Sequence, residues 1–414
     1  MLLVNTPLFI ASRLVKSKGR KNSISGPIIK IAISAIAISM LMMVVSIASG
    51  IGLQRKIREK IAAFNGHISI SNFDENESKV SVNPISTKQT FYPTFTAIPE
   101  VTHIQGVATK AGIIRTPKAF EGIVFKGVGT DFKWDNFDEY LVAGRLPKYG
   151  SAMSNEVLLS EYLANRLGLK VGSKFVTFFM RDSAATQPFR RSFNVVGIYN
   201  SGFKDFDQSY VIGDLKHIQR MNKWSADQVG NFELFVSDFD RLKEIGELVY
   251  EEIPSTLNAV TILKSHSFLF EWMALFDFNI LLIIGFMVVV CSINMSVALL
   301  VLILEKTKLV GMLKALGASN WFIRKVFIYQ AVFLIGRGLL IGNGLGLLAV
   351  GLQYYFGLVE LNPESYYVKV APVFLNIPLI MLVNLLTIGV CLLVLVVPSY
   401  LITKISPVKA IAYS

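Results

Sequence analysis

The chain has 414 residues, 52% of them hydrophobic and 17% charged, with a mean hydropathy of +0.51 and a formal net charge of +12. That balance excludes an ordinary soluble protein, and the apolar residues gather in four stretches. Both cysteines, Cys291 and Cys391, lie inside those stretches, which excludes an extracytoplasmic disulfide framework and a CxxC metal or redox motif.

Residues 1–27 form a basic segment holding Arg13, Lys16, Lys18, Arg20 and Lys21. The apolar stretch 28–53 exceeds the roughly 7–15 residues of a signal-peptide core and is followed by no A-x-A site, so it reads as a first span. Residues 54–271 have ordinary globular patterning and predict an α+β extracytoplasmic domain between the first two of four transmembrane helices. LQRKIREKIAAF (53–64) continues the first span as an amphipathic stalk with Leu53, Ile57, Ile61 and Phe64 on one face. Strands are expected at 67–71, 122–128, 174–180, 192–199, 208–213 and 232–237, and a helix at 239–253. A further short strand, Val157–Leu159, leads into a helix capped by Ser160 and ended by Gly168.

A second span is expected at 272–304, a connecting segment at 305–325, a third span at 326–353, a short loop at 354–376, a fourth span at 377–402 and a tail at 403–414. In the connecting segment Leu309, Met312, Leu313 and Leu316 recur at helical spacing, and Gly317 stands where a C-cap belongs. Such a helix can transmit force from a soluble partner or lie on lipid headgroups. Pro398 predicts a kink or stop near the end of the fourth span.

Charge orients these segments. Residues 1–30, 305–325 and the tail carry thirteen basic residues against Glu305 alone, whereas 51–271 carries 26 basic and 25 acidic residues. By the positive-inside rule both termini and 305–325 are cytoplasmic and the domain is outside. The excess of positive charge is thus a topology signal, and nucleic-acid binding loses its support.

Within the spans, Met40, Met43, Val44 and Ile47 share one face of the first, and Phe276, Ile280, Ile283 and Met287 one face of the second. Flexible methionines suit a cavity for acyl chains, while packing on lipid or on another helix is the plain alternative. Asp277 and Arg337 are ionisable residues inside spans, for which a structural ion pair is expected ahead of a lipid-headgroup contact. No GxxxxGK[ST] loop is present, and His67, His103, His217 and His266 form no metal-spaced cluster. Neither a catalytic residue, a metal site nor a cofactor bound by this chain is expected.

Several phrases resemble the Lol-type permeases, membrane subunits of the ABC transporter that releases lipoproteins. Gly144–Pro147, Leu167–Gly172, Val195–Tyr199 and Gly202–Asp207 match GR-P, LGLKVG, VVGIY and G-F-x-x-F-D in the family's order. Leu309, Val310, Gly311, Leu313, Lys314, Ala315, Leu316, Gly317 and Ala318 are similar to the coupling-helix signature shared with MacB-like and FtsX-like permeases, and Lys308 replaces a common acidic residue. Pro398 and the 405–411 segment look like the family's closing phrase, as does the Tyr-containing loop 361–373.

The resemblance implies a permease subunit of the bacterial inner membrane that extracts lipoproteins from the outer leaflet for transfer towards the outer membrane. It implies two copies of a separate ABC ATPase that uses ATP and Mg and docks on residues 309–317. A second permease chain, identical or paralogous, a lipoprotein substrate and membrane lipid complete the set of partners. The Met40 and Phe276 faces would line the lipid cavity. Arg181–Arg191 stands where one paralogue docks a periplasmic lipoprotein carrier, which makes Pro188, an exposed Phe189, Arg190 and Arg191 docking candidates. This loop is shorter than the family's, and a plain solvated hairpin is the other reading. FtsX-like signalling to a cell-wall hydrolase and MacB-like efflux are the alternative functions.

Overall fold

The computed structural model describes residues 6–16, 25–74, 79–117, 119–180, 187–362 and 366–404. Four helices are long and apolar enough to cross a membrane, over Gly26–Asn65, Ser267–Glu305, Asn320–Phe356 and Ile377–Thr403. The expected connection at 305–325 resolves into a short helix, Thr307–Ala315, and the first turns of the third span helix, which begins at Asn320. The regular fourth helix ends at Val394, because Pro398 has no N–H to give the carbonyl four residues earlier. Contacts divide the chain into a helical bundle (1–54, 273–360 and 370–414) and a globular unit (55–272 and 361–369).

In the bundle, the first span is the most buried of the four. Ile36, Met40, Met43, Val44 and Ile47 are inaccessible to solvent and pack on a third span that offers Gly338, Gly342 and Gly346 at every fourth position. A Cβ at Gly342 would lie 2.6 Å from the Ala37 carbonyl oxygen and 2.7 Å from Met40 Cβ, so glycine is what permits the close approach. Third and fourth spans are joined by a reciprocal amide pair: Asn343 Nδ2 donates to Asn384 Oδ1 (2.8 Å) and Asn384 Nδ2 to Asn343 Oδ1 (3.2 Å). An additional helix, Thr6–Lys16, packs on the third span with Ala11 buried. The sequence reading treats residues 1–27 only as a basic segment and assigns no helix there.

The globular unit contains strands β1 (Ile68–Asn72), β2 (Ile85–Ser86), β3 (Val101–Arg115), β4 (Phe120–Val128), β5 (Leu141–Gly144), β6 (Glu156–Ser160), β7 (Lys174–Phe179), β8 (Phe189–Tyr199), β9 (Tyr210–Asp214), β10 (Gln228–Val229), β11 (Asn231–Val236) and β12 (Leu257–Thr261). Pairing runs β3–β4–β9–β6–β8–β7 and returns from β7 to β3, which closes a six-stranded ring. Phe125, Phe179 and Phe193 fill it, with Phe125 stacked on Phe193 at 5.0 Å. The outer strands β11, β1 and β12 continue from the first half of β3, through Val101–Val107, while its second half belongs to the ring. β3 is thus common to both layers.

Candidate functional site

Two places in the molecule hold part of the residues that carried the family resemblance. The first is the helix Thr307–Ala315 and the turn after it. Gly317 has φ +86°, donates from its N–H to Lys314 O (3.0 Å), and is followed by Ala318 N–H donating to Leu313 O (2.9 Å). This is the hydrogen-bond pattern of a left-handed C-terminal cap that glycine adopts without steric cost. Ser319 immediately starts the next helix by accepting from Phe322 N–H (3.2 Å). The helix is therefore pinned at its C-terminal end by a four-residue turn.

Its orientation corrects the sequence reading in one respect. Val310 and Gly311 are buried and Leu309, Leu313 and Lys314 half-buried, but Met312 is 45% and Leu316 84% exposed, next to exposed Lys308, Ala315 and Trp321. The four leucine and methionine positions thus split between two faces, the inner one completed by the small Gly311. Lys314 points inward: its Nζ donates to Ile402 O (2.7 Å) and Thr403 O (3.3 Å), and partial burial lowers its pKa.

The second place is the end of the stalk within the globular unit. Phe64 lies among Phe137, Tyr199 and Phe206, stacked on Phe206 at 4.6 Å. Lys126, 3% exposed, donates to the Phe64 carbonyl oxygen and to Glu233 Oε1 (2.6 Å), whose other oxygen accepts from Gln105 Nε2 (2.9 Å). Lys60, also buried, donates to the carbonyl oxygens of Ser201 and of Tyr367 (2.7 Å for the latter). On the surface of the stalk, Lys56 pairs with Glu139 (2.5 Å) and Arg58 with Asp240 (3.2 Å). Burial works against ionisation of Glu139, but the bonds from Lys56 and Tyr140 hold its carboxyl below the usual range.

Here the G-F-x-x-F-D phrase acquires a physical meaning. Gly202 has φ +69° and lets the turn pass Lys60 Nζ and Tyr367 O, each 3.2–3.3 Å from where a Cβ would sit. Phe203 stacks on Tyr367 (4.6 Å), Phe206 on Phe64, and Asp207 accepts from Ser201 Oγ (2.7 Å), Ser201 N–H (3.1 Å) and Gly202 N–H (3.0 Å). Burial raises the Asp207 pKa in spite of those bonds. The phrase builds an anchor for the stalk and shows no reactive arrangement.

The remaining expected residues fall as follows. Met40, Met43, Val44 and Ile47 are packed inside the bundle against the third span, so in the single chain they form core and no open cavity. Phe276, Ile280, Ile283 and Met287 are half-buried, and Ile280 packs on Gly50 of the first span. Asp277 and Arg337 form no pair among the described residues: Gln54 Nε2 donates to Asp277 Oδ1 (2.8 Å), and Arg337 is exposed. Two spans that each have a nearer polar or open neighbour need no long-range ion pair.

Residues 181–186 lie outside the described residues, as do 405–411 of the closing phrase. Pro188 is exposed, but Phe189 is half-buried in β8 opposite Phe179, and Arg190 and Arg191 are strand residues too. The expected exposed loop aromatic is corrected by the alternation of Phe189, Arg191 and Phe193 towards one face. The histidines are hydrogen-bonded at separate places: His67 Nδ1 accepts from Val236 N–H (3.1 Å), ring nitrogens of His103 and His217 meet Asp131 O and Ser154 O, and those of His266 meet Asn65 Nδ2 and Ser265 Oγ.

The chain matches the MacB-like periplasmic core domain family over residues 31–246 and the FtsX-like permease C-terminal family over residues 281–407. It is 21% identical to the lipoprotein-releasing system transmembrane protein LolE of Haemophilus influenzae, over 99% of this chain and 100% of that protein. It is 22% identical to the LolC protein of the same system in Neisseria meningitidis, over 98% of both. Among solved structures, the periplasmic region of MacB from Actinobacillus actinomycetemcomitans matches 50% of this chain and 93% of that one, with 14% identity and a TM-score of 0.33.

Proposed function

We propose, from the premise that this chain belongs to the family with a MacB-like periplasmic core domain, here joined to an FtsX-like permease region, that it is the permease subunit of a lipoprotein-releasing ABC transporter. The observation that carries this reading is end-to-end similarity to two proteins named for lipoprotein release. In this reading both termini and the helix Thr307–Ala315 are cytoplasmic, and the globular unit lies on the outer side of the inner membrane.

Met312, Leu316 and Trp321 then form the seat for a separate ATPase, two copies of which serve a pair of permease chains. The exposed apolar side chains support this role, since a buried partner surface recovers the free energy that water contact denies them. The pinned turn at Gly317 passes the push of ATP-driven closure into the third span. Between paired chains, the Phe276–Met287 face of the second span and the neighbouring first span bound a cavity for acyl chains, which closes as the subunits move and passes the lipoprotein outward. ATP and Mg act in the partner subunit.

Purification of the intact complex from native membrane, followed by mass spectrometry, tests the reading. Recovery of an ABC ATPase together with triacylated lipoprotein is expected. Recovery of a cell-wall hydrolase with no lipoprotein would overturn release in favour of FtsX-like signalling.

A further inference from the structure

The Tyr366–Lys369 segment belongs to the loop between the third and fourth spans, yet its contacts are those of the globular unit. Three independent interactions hold it there. Lys60 Nζ donates to the Tyr367 carbonyl oxygen (2.7 Å) while also donating to Ser201 O. The Tyr367 ring stacks on Phe203 (4.6 Å) and meets Trp272 edge-on (5.9 Å). Val368 is buried, at 4% exposure. Tyr367 is also one of only two non-glycine residues with positive φ among the described residues, at +60°. A tyrosine adopts that backbone only where surrounding contacts hold it.

Lys60 is unusual as well: it is a buried ammonium that makes no ion pair among the described residues and is coordinated by backbone carbonyls from two separate segments. A buried charge needs such hydrogen bonds to be tolerated at all. One cation on the stalk therefore ties the 201–207 turn and the inter-span loop to the same point.

We infer that Lys60 and the Phe203–Tyr367 stack form a latch that makes the loop between the third and fourth spans part of the globular unit. Resting on the transport reading above, the latch gives those two spans a direct pull on the globular unit, in addition to the pull that reaches it through the stalk. Lys60 and Tyr367 are positioning residues in this scheme and touch no substrate.

The test uses the full chain in its complex, comparing Lys60→Met, Tyr367→Ala and Tyr367→Phe with the parent. Met keeps the length of the side chain and removes the donor; Phe keeps the ring. Hydrogen exchange at the amides of Tyr366–Lys369 reads the latch without any transport. At least tenfold faster exchange is expected in Lys60→Met and Tyr367→Ala, and parental rates in Tyr367→Phe. Lipoprotein released per ATP hydrolysed reads what the latch does. That ratio is expected to fall at least fivefold in the first two variants, with ATP hydrolysis kept within twofold, and to recover in Tyr367→Phe, a pattern that loss of folding would not give.

Unchanged exchange in both Lys60→Met and Tyr367→Ala overturns the latch. Faster exchange with an unchanged ratio overturns its part in transmission. A parent complex that hydrolyses ATP and releases no lipoprotein counts against the transport reading instead, and the exchange result still decides whether the latch exists.

Discussion

The stalk end of the globular unit and the helix Thr307–Ala315 of the bundle use similar residues to opposite effect. Around the stalk, Lys60, Lys126, Phe64 and Phe206 are buried, and each lysine finds backbone carbonyls or a carboxylate. On the helix, Lys314 repeats the device by donating to Ile402 O and Thr403 O, but Met312 and Leu316 stand in the open. The difference separates two jobs. Where the lysines are bonded and the rings are covered, the residues hold the chain together; the large apolar side chains left uncovered on the helix are the ones that the proposed function assigns to a partner.

The strongest way to break that contrast is to empty the stalk anchor. Lys126→Met leaves the Glu233 carboxylate buried with Gln105 as its remaining partner, and removal of one member of a buried pair costs about 3–5 kcal/mol. Thermal unfolding of the purified chain should show that loss, and a change below about 1 kcal/mol would place the pair in a wetter setting than its burial indicates. On the other side of the contrast, Leu316→Asp should leave unfolding within about 0.5 kcal/mol. It should nevertheless weaken association with the ATPase by at least about tenfold in a pull-down titration, an effect of roughly 1.4 kcal/mol or more.

Acidity gives an intermediate test. Burial, with Lys133 nearby, lowers the His67 pKa to about 4 from 6.5, and its Nδ1 is already used as an acceptor from Val236 N–H. The unfolded chain takes up that proton near pH 6.5 and the folded chain only near 4, so stability is present above about 6.5 and falls as pH drops through this window. His67→Gln should flatten the unfolding midpoint over the same range; an unchanged slope would assign the acid sensitivity to other groups. A smaller effect than that of Lys126→Met is expected from Lys314→Met. Loss of two hydrogen bonds to part-buried carbonyls should cost about 1–3 kcal/mol at about 0.5–1.5 each. It should also loosen exchange at the end of the fourth span while leaving ATPase association intact, which would separate the inner from the outer face of one helix.

Much of this is legible in the sequence itself. Runs of apolar residue locate four spans, and period-2 patterns locate β1, β4, β7, β8, β9 and β11, because both signals depend on local spacing alone. β3 was not legible. Its Gln105 and Lys110 are buried polar residues whose partners, Glu233 and Asn222, are more than a hundred positions away, so alternation is masked by distant chemistry. The Met40 to Ile47 face could be drawn from periodicity, but not that glycines on the third span would cover it. Phe189 looked like a loop residue because proline and arginine flank it; pairing with Phe179 made it a strand residue. The exposed half of the inter-span helix depended on which side its two neighbouring spans occupy, and no local pattern carries that.

One strand also limits how this chain can vary. Since β3 pairs with β11 through Val101–Val107 and with β7 through Gly112–Arg115, a single residue inserted between those stretches would put one register out of phase with the other and turn either Ile104 or Ile114 away from its layer. The two layers cannot drift apart in sequence as independent modules would. Insertions should be found in connections between strands, while the length of β3 stays constant among related chains.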